Sequence, residues 1–197
     1  MKTYPLFFGL WLFFGQLAFA EVQTGDLIFH TSRSSQSRAL QLAMRSPYSH
    51  MGIVIFKENK PYVFEASNKV KFTPLKEWIA RGVDQVYKVK RLRDESLLSP
   101  ASRNKLQKIA KEYEGRPYDL YFEWSDEKIY CSELVWKIYQ RALGLQIGGF
   151  QTIGDFDLSR PEVKAKLRER FGDNIPLSEK VISPAAMYDS ELLKEIR

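Results

Sequence analysis

Tyr130-Cys131-Ser132-Glu133-Leu134-Val135 holds the only cysteine of a 197-residue chain, and it stands where an amphipathic helix begins. From Ser132 onward Leu134, Val135, Ile138, Tyr139, Ala142 and Leu143 recur at helical spacing, and Gly144 supplies a stop. One thiol cannot close an internal disulfide. At a helix start the macrodipole and the unpaired N–H groups favour thiolate over thiol. The same N–H groups can hold an oxyanion during acyl transfer. The plain alternative is a buried cysteine serving as a small hydrophobe.

The N-terminus raises the stakes for that thiol. Met1-Lys2-Thr3-Tyr4-Pro5 leads into an apolar run from Leu6 to Leu17 and then Ala18-Phe19-Ala20. A short basic region, an apolar core and an A-x-A site describe a signal peptide, here residues 1–20. A stop-transfer span needs about 20 apolar residues with charged flanks, and no cysteine follows for a lipid anchor. The expected product is one soluble domain over residues 21–197 with no stable membrane insertion, exported, and periplasmic in a Gram-negative source. Free thiols tend to be oxidised in such a compartment, so an unpaired one needs a reason, and nucleophilic chemistry is the leading reason.

Hydrophobic residues at 44% and aromatic residues at 14% describe a folded globule with a proper core. The net charge of +6 would suit acidic partners, but Lys and Arg coating a solvated surface is the plainer reading. No basic cluster with interleaved stacking aromatics is present, which together with export argues against a nucleic-acid partner.

No repeat, low-complexity tract or linker divides the chain. Gly25-Asp26-Leu27-Ile28-Phe29 reads as a turn and a buried strand, and Ser34 to Met44 as a short helix ending before Pro47. His50 to Phe56 and Tyr62 to Ala66 form a hairpin around Glu58-Asn59-Lys60-Pro61. Val70–Phe72 and Gln85–Lys90 suggest further strands, with a helical turn from Leu75 to Arg81 between them. Ser102 to Tyr113 is an amphipathic helix closed by Gly115, and an aromatic-rich loop runs from there to Tyr130. A charged helix from Arg160 to Phe171 and a last helix near Ser183-Pro184 complete an α+β pattern of about five helices beside a small antiparallel sheet.

A cysteine nucleophile needs a base, and the base needs a third group to orient it. The chain offers two histidines, His30 and His50. Two arguments favour His50. Gly52 lets backbone or substrate approach closely beside it. The hairpin also sets His50 nearly opposite Glu65, to within a residue or two of register, and cross-strand neighbours lie about 5 Å apart. Glu65 is itself an acid inside the apolar run Tyr62-Val63-Phe64-Glu65-Ala66. Cys131, His50 and Glu65 thus form a coherent nucleophile, base and orienter. Two histidines and one cysteine offer neither CxxC nor HExxH, so no metal site is expected. No phosphate-cradling glycine loop is present and no cofactor is expected.

These residues resemble a known family. Thr24-Gly25-Asp26-Leu27-Ile28-Phe29, Tyr48-Ser49-His50-Met51-Gly52, Phe64-Glu65-Ala66, Gly115-Arg116-Pro117-Tyr118-Asp119 and the cysteine segment are similar, in order, to the YiiX/YebB-like proteins. Those belong to the permuted branch of the NlpC-type papain-like hydrolases. The resemblance implies a circularly permuted papain-like fold, with His50 preceding Cys131, and carries over Cys131 as nucleophile, His50 as base and Glu65 as third polar residue. It also implies a substrate or oxyanion role for Tyr118. NlpC-type relatives cleave cell-wall peptide amides, whereas permuted relatives similar to lecithin retinol acyltransferase act on lipid acyl groups. Three readings therefore stand. One is a cysteine peptidase or amidase acting through a thioester. Another is a lipid-directed acyl hydrolase or acyltransferase, for which Phe122, Trp124, Phe150 and Phe156 are candidate pocket walls beside the plainer reading of each as core packing. The last is a non-catalytic envelope binding module.

Overall fold

The computed structural model describes residues 22–197; the expected signal segment, residues 1–20, lies outside them. The strands Leu27–Ser32 (β1), His50–Lys57 (β2), Lys60–Ala66 (β3), Val70–Pro74 (β4), Gly82–Leu92 (β5) and Leu193–Glu195 (β8) form one antiparallel sheet in the order β4-β3-β2-β1-β5-β8. Gln151–Thr152 (β6) and Lys180–Val181 (β7) make a separate small pair. The helices are Ser37–Met44 (α1), Leu75–Ala80 (α2), Pro100–Glu112 (α3), Cys131–Leu143 (α4), Pro161–Phe171 (α5) and Pro184–Tyr188 (α6). A sheet with helices packed on it is the α+β arrangement expected.

Alternation along the strands divides the apolar residues between two faces. Leu27, Phe29, Met51, Ile53 and Phe64 meet Leu134, Val135 and Ile138 of α4 in the main core, with Leu106 and Ala110 of α3 beyond. Ile28, Val54, Val63 and Val89 face the other way, under Leu75 and Trp78 of α2. The first nine residues of α4 are buried, so this helix runs through the centre of the molecule.

Local chemistry sets several boundaries. The β2–β3 turn is shorter than expected: Glu58 and Asn59 both take left-handed φ, as a two-residue hairpin loop demands, and Pro61 falls inside β3. α3 begins earlier than expected, with Pro100 in its first turn and Ser99 accepting the Ser102 N–H at 3.2 Å. α1 begins later, at Ser37, and ends through the left-handed Arg45. β5 is longer than expected, running from Gly82 to Leu92 through the left-handed Asp84 and Gln85. β8 was not foreseen.

The Gly25-Asp26 turn fastens β1 to the centre. Gly25 has φ +101°, and a side chain there would collide with Leu98. Buried Asp26 takes a two-pronged ion pair from Arg91, at 2.7 and 2.9 Å. The Tyr139 hydroxyl donates to the Gly25 carbonyl, tying α4 to the same turn.

Candidate active site

Cys131 is the first residue of α4 and is almost wholly buried. Both its neighbours are clamped to one residue. The Tyr130 hydroxyl accepts the Ile182 N–H at 3.1 Å, and the Ser132 hydroxyl donates to the Ile182 carbonyl at 2.7 Å. The helix start therefore cannot rotate without breaking two buried hydrogen bonds. The main-chain N–H groups of Met51 and Ser132 and the His50 ring all act on the sulfur, each favouring its charged form.

The base side follows from the sheet register. Ile53 stands opposite Phe64, and one step further sets Gly52 opposite Glu65, so His50 and Glu65 are diagonal rather than directly opposed. Gly52 makes the diagonal possible: a Cβ there would lie 2.8 Å from the Phe64 carbonyl oxygen and would crowd Val63. The close approach foreseen at Gly52 is thus cross-strand packing against β3. Glu65 Oε2 lies 2.6 Å from His50 Nε2, which leaves Nδ1 for the thiol.

Three donors that the sequence did not single out fix Glu65. Thr73 donates to Oε1 at 2.6 Å, the Trp78 indole to Oε2 at 3.0 Å, and Arg81 forms a close ion pair with Oε1. Thr73 faces the same side of the sheet as Glu65, and Trp78 and Arg81 sit one helical turn apart at α2 and its end. The signal available was the polar Thr73 in β4, followed by an i,i+3 Trp–Arg pair. His30 stands directly across β1–β2 from His50 and stacks on the Trp78 ring with centroids 3.8 Å apart.

The electrostatics follow from these contacts. Burial opposes charge on His50, but the hydrogen bonds to Cys131 and Glu65 outweigh it and push the imidazole up to about 9. Burial raises the Cys131 thiol, yet the His50 contact and two N–H groups bring it below its ordinary value. Glu65 is buried, but His50, Thr73 and Arg81 hold its carboxyl down to about 2. The contact between His50 and the sulfur thus favours the charged form of both groups.

Two cavities meet here. An apolar chamber opens from Cys131 between α1, α5 and the β6–β7 pair, lined by Leu40, Met44, Phe122, Phe156, Leu167 and Phe171 among others. Of the four aromatics read as pocket walls or core, Phe122 and Phe156 line the chamber, whereas Trp124 and Phe150 pack against Trp136. A wider cleft lined mostly by polar side chains opens from His50. Tyr118 lines both and receives the Gln36 side-chain N–H at 3.4 Å. Burial and the neighbouring sulfur push its phenol well above the ordinary tyrosine range, so it stays a donor.

A buried helix-start thiol, an imidazole and a carboxylate, arranged on a sheet with the base earlier in the chain than the nucleophile, define a permuted papain-like thiol hydrolase. The comparisons agree. A family described as permuted papain-like amidase enzymes, YaeF/YiiX, C92 family, matches residues 21–197, and the chain belongs to it. The chain is 53% identical over 180 residues to the uncharacterized protein YiiX of Escherichia coli strain K12, covering 91% of this chain and 88% of that one. A crystal structure described as metalloprotein yiiX from Escherichia coli O157:H7 superposes with a TM-score of 0.86 at 53% identity, covering 89% of this chain and 96% of that one. Among the described residues no three His, Cys, Asp or Glu side chains gather as a metal-holding group. Glu65, the carboxylate nearest the thiol–imidazole pair, has its oxygens taken up by His50, Thr73, Trp78 and Arg81. These residues do not fit a metal ion, and the mechanism below passes through none. No helix among the described residues is long and apolar enough to cross a membrane.

Proposed function

We propose that this chain is an exported thiol amidase of the cell envelope that cleaves the amide bond of N-acyl substrates through a thioester on Cys131. The observation that carries the reading is the setting of the sulfur: beside the Glu65-held His50 imidazole on one side, open to an apolar chamber on the other. The Cys131 thiolate adds to the amide carbonyl, and the oxyanion meets the protonated Tyr118 hydroxyl. As the C–N bond breaks, the His50 imidazolium gives its proton to the departing amine. His50 then takes a proton from water, the hydroxide adds to the thioester, and the C–S bond breaks. The products are the acid and the amine, and the thiolate–imidazolium pair is restored. Glu65 keeps the imidazole oriented through both steps.

The chamber's lining favours an aliphatic acyl group over the polar D-glutamyl arm of a cell-wall peptide. Export is supported by the sequence of residues 1–20 alone. The test is incubation of residues 21–197, wild type and Cys131→Ala, with N-acyl amines of graded chain length and with muropeptides. Mass spectrometry would follow both products and protein. An acyl adduct on Cys131 and rates that rise with chain length are expected. Cleavage that survives Cys131→Ala sinks the thiol mechanism, and cleavage of muropeptides alone sinks the aliphatic acyl group.

A further inference from the structure

If the acyl half of the substrate stays with the sulfur, the amine half must leave past His50, through the polar cleft. The side chains around that cleft are unevenly charged. Arg33, Arg81, Lys166 and Arg170 line it, against the single acid Glu169. Arg81 is committed to Glu65, and Lys166 meets Glu169 at 2.6 Å. Two cations remain outside any ion pair among the described residues, with Glu169 and Asp119 acting on Arg170 only at longer range. Arg33 is exposed at the rim. Arg170 is half-buried on α5, its guanidinium 4.8 Å from the centre of the Phe122 ring.

Arg170 is held in place. One N–H donates to the Gln36 side-chain oxygen, and the Gln36 amide nitrogen in turn donates to Tyr118 beside the thiol. A guanidinium carries five N–H donors in a fixed fork, so several remain for a ligand. Arg170 also lines both cavities, which sets it beside the point where the scissile bond must lie. A neutral amine would leave this charge unused, whereas a carboxylate or phosphate a few bonds from the amide nitrogen would meet it.

We propose that the cleft is a subsite for an anionic group on the leaving amine, with Arg170 as its principal contact and Arg33 as its second. The substrate class is then N-acyl amines bearing a carboxylate or a phosphate, N-acyl amino acids foremost. This rests on the amidase reading above and narrows its substrate.

The experiment holds the acyl chain constant and varies the amine. N-dodecanoylglycine, N-dodecanoyl-phosphoethanolamine and neutral N-dodecanoylethanolamine are compared for kcat/KM with wild type and Arg170→Met. Binding of the same three to Cys131→Ala is measured by calorimetry. An anionic preference of about ten- to hundredfold is expected, the worth of one charge-assisted hydrogen bond. It should sit mainly in KM, shrink in Arg170→Met and weaken with salt. The ratio of the glycine to the phosphate compound tells which anion the site takes. Equal binding of charged and neutral compounds overturns the subsite, as does a loss in Arg170→Met that is the same for all three. An anionic preference in binding without any turnover keeps the subsite and overturns the amidase.

Discussion

His30 and His50 are direct cross-strand partners with ring centres 5.4 Å apart, yet the protein drives them in opposite directions. Both are withdrawn from solvent. His50 is pushed up to about 9 and His30 down to about 3. Burial disfavours the charged form of each, so burial cannot be what separates them. The difference lies in their partners. His50 has a carboxylate on one nitrogen and a thiol on the other. His30 has the flat face of Trp78, no partner for its buried Nδ1, and the repulsion of a charged His50. The pair teaches that neighbours rather than burial set the charge of each imidazole, and that the second histidine packs in neutral form against the ring that steadies Glu65.

The strongest way to break this contrast is to neutralise the acid. Glu65→Gln should lower turnover roughly 10²–10⁴-fold. It should also return the alkylation profile of Cys131 toward the ordinary thiol range near pH 8.5. An unmoved alkylation profile would mean that Glu65 does not set the charge of His50. The same variant reports on acid stability. Glu65 titrates at about 2 when folded, below its ordinary 4.5, so its contribution is complete above pH 4.5 and is lost as pH falls toward 2. The glutamine variant should lack that acid-dependent loss in denaturant titrations at stepped pH.

Trp78→Phe is a smaller change, for it keeps the stack beneath His30 and removes only the indole N–H given to Glu65. A cost of about 1.5–3 kcal/mol in unfolding free energy is expected, as for a lost hydrogen bond to a charged group. Turnover should fall less than in Glu65→Gln. If the two variants match in rate, the carboxylate acts only as one member of a rigid network.

His30→Phe should have the smallest effect on rate, within about tenfold, because it removes no contact to the thiol or to Glu65. Its signature is in stability. His30 titrates at about 3 when folded and near 6.5 when unfolded, so the wild type loses stability as pH falls from 6.5 toward 3. Phenylalanine cannot take that proton, and the variant should be less acid-sensitive across this window by chemical denaturation. A rate loss as large as that of Glu65→Gln would overturn the packing role.

How much of this was legible in the sequence follows from distance along the chain. Cys131 could be read from a local helix start, and His50 with Glu65 from one hairpin whose turn fixes the register. The diagonal offset was within the stated register. Thr73, Trp78 and Arg81 required knowing that β4 lies beside β3 and that α2 folds back over the sheet, which no short-range pattern encodes. Gln36 and Arg170 are 134 residues apart and meet only because α1 and α5 pack together. The chamber was foreseen in two of its aromatics and missed in the aliphatic side chains of α1 and α5, whose amphipathic spacing reads the same whether a helix covers a core or a cavity.

The double clamp of Tyr130 and Ser132 on Ile182 has a temporal consequence. The sulfur's setting is completed by a residue 51 positions after it in the sequence, so a growing polypeptide carries its thiol and imidazole before the clamp that fixes the helix start can close. Reactivity arrives late.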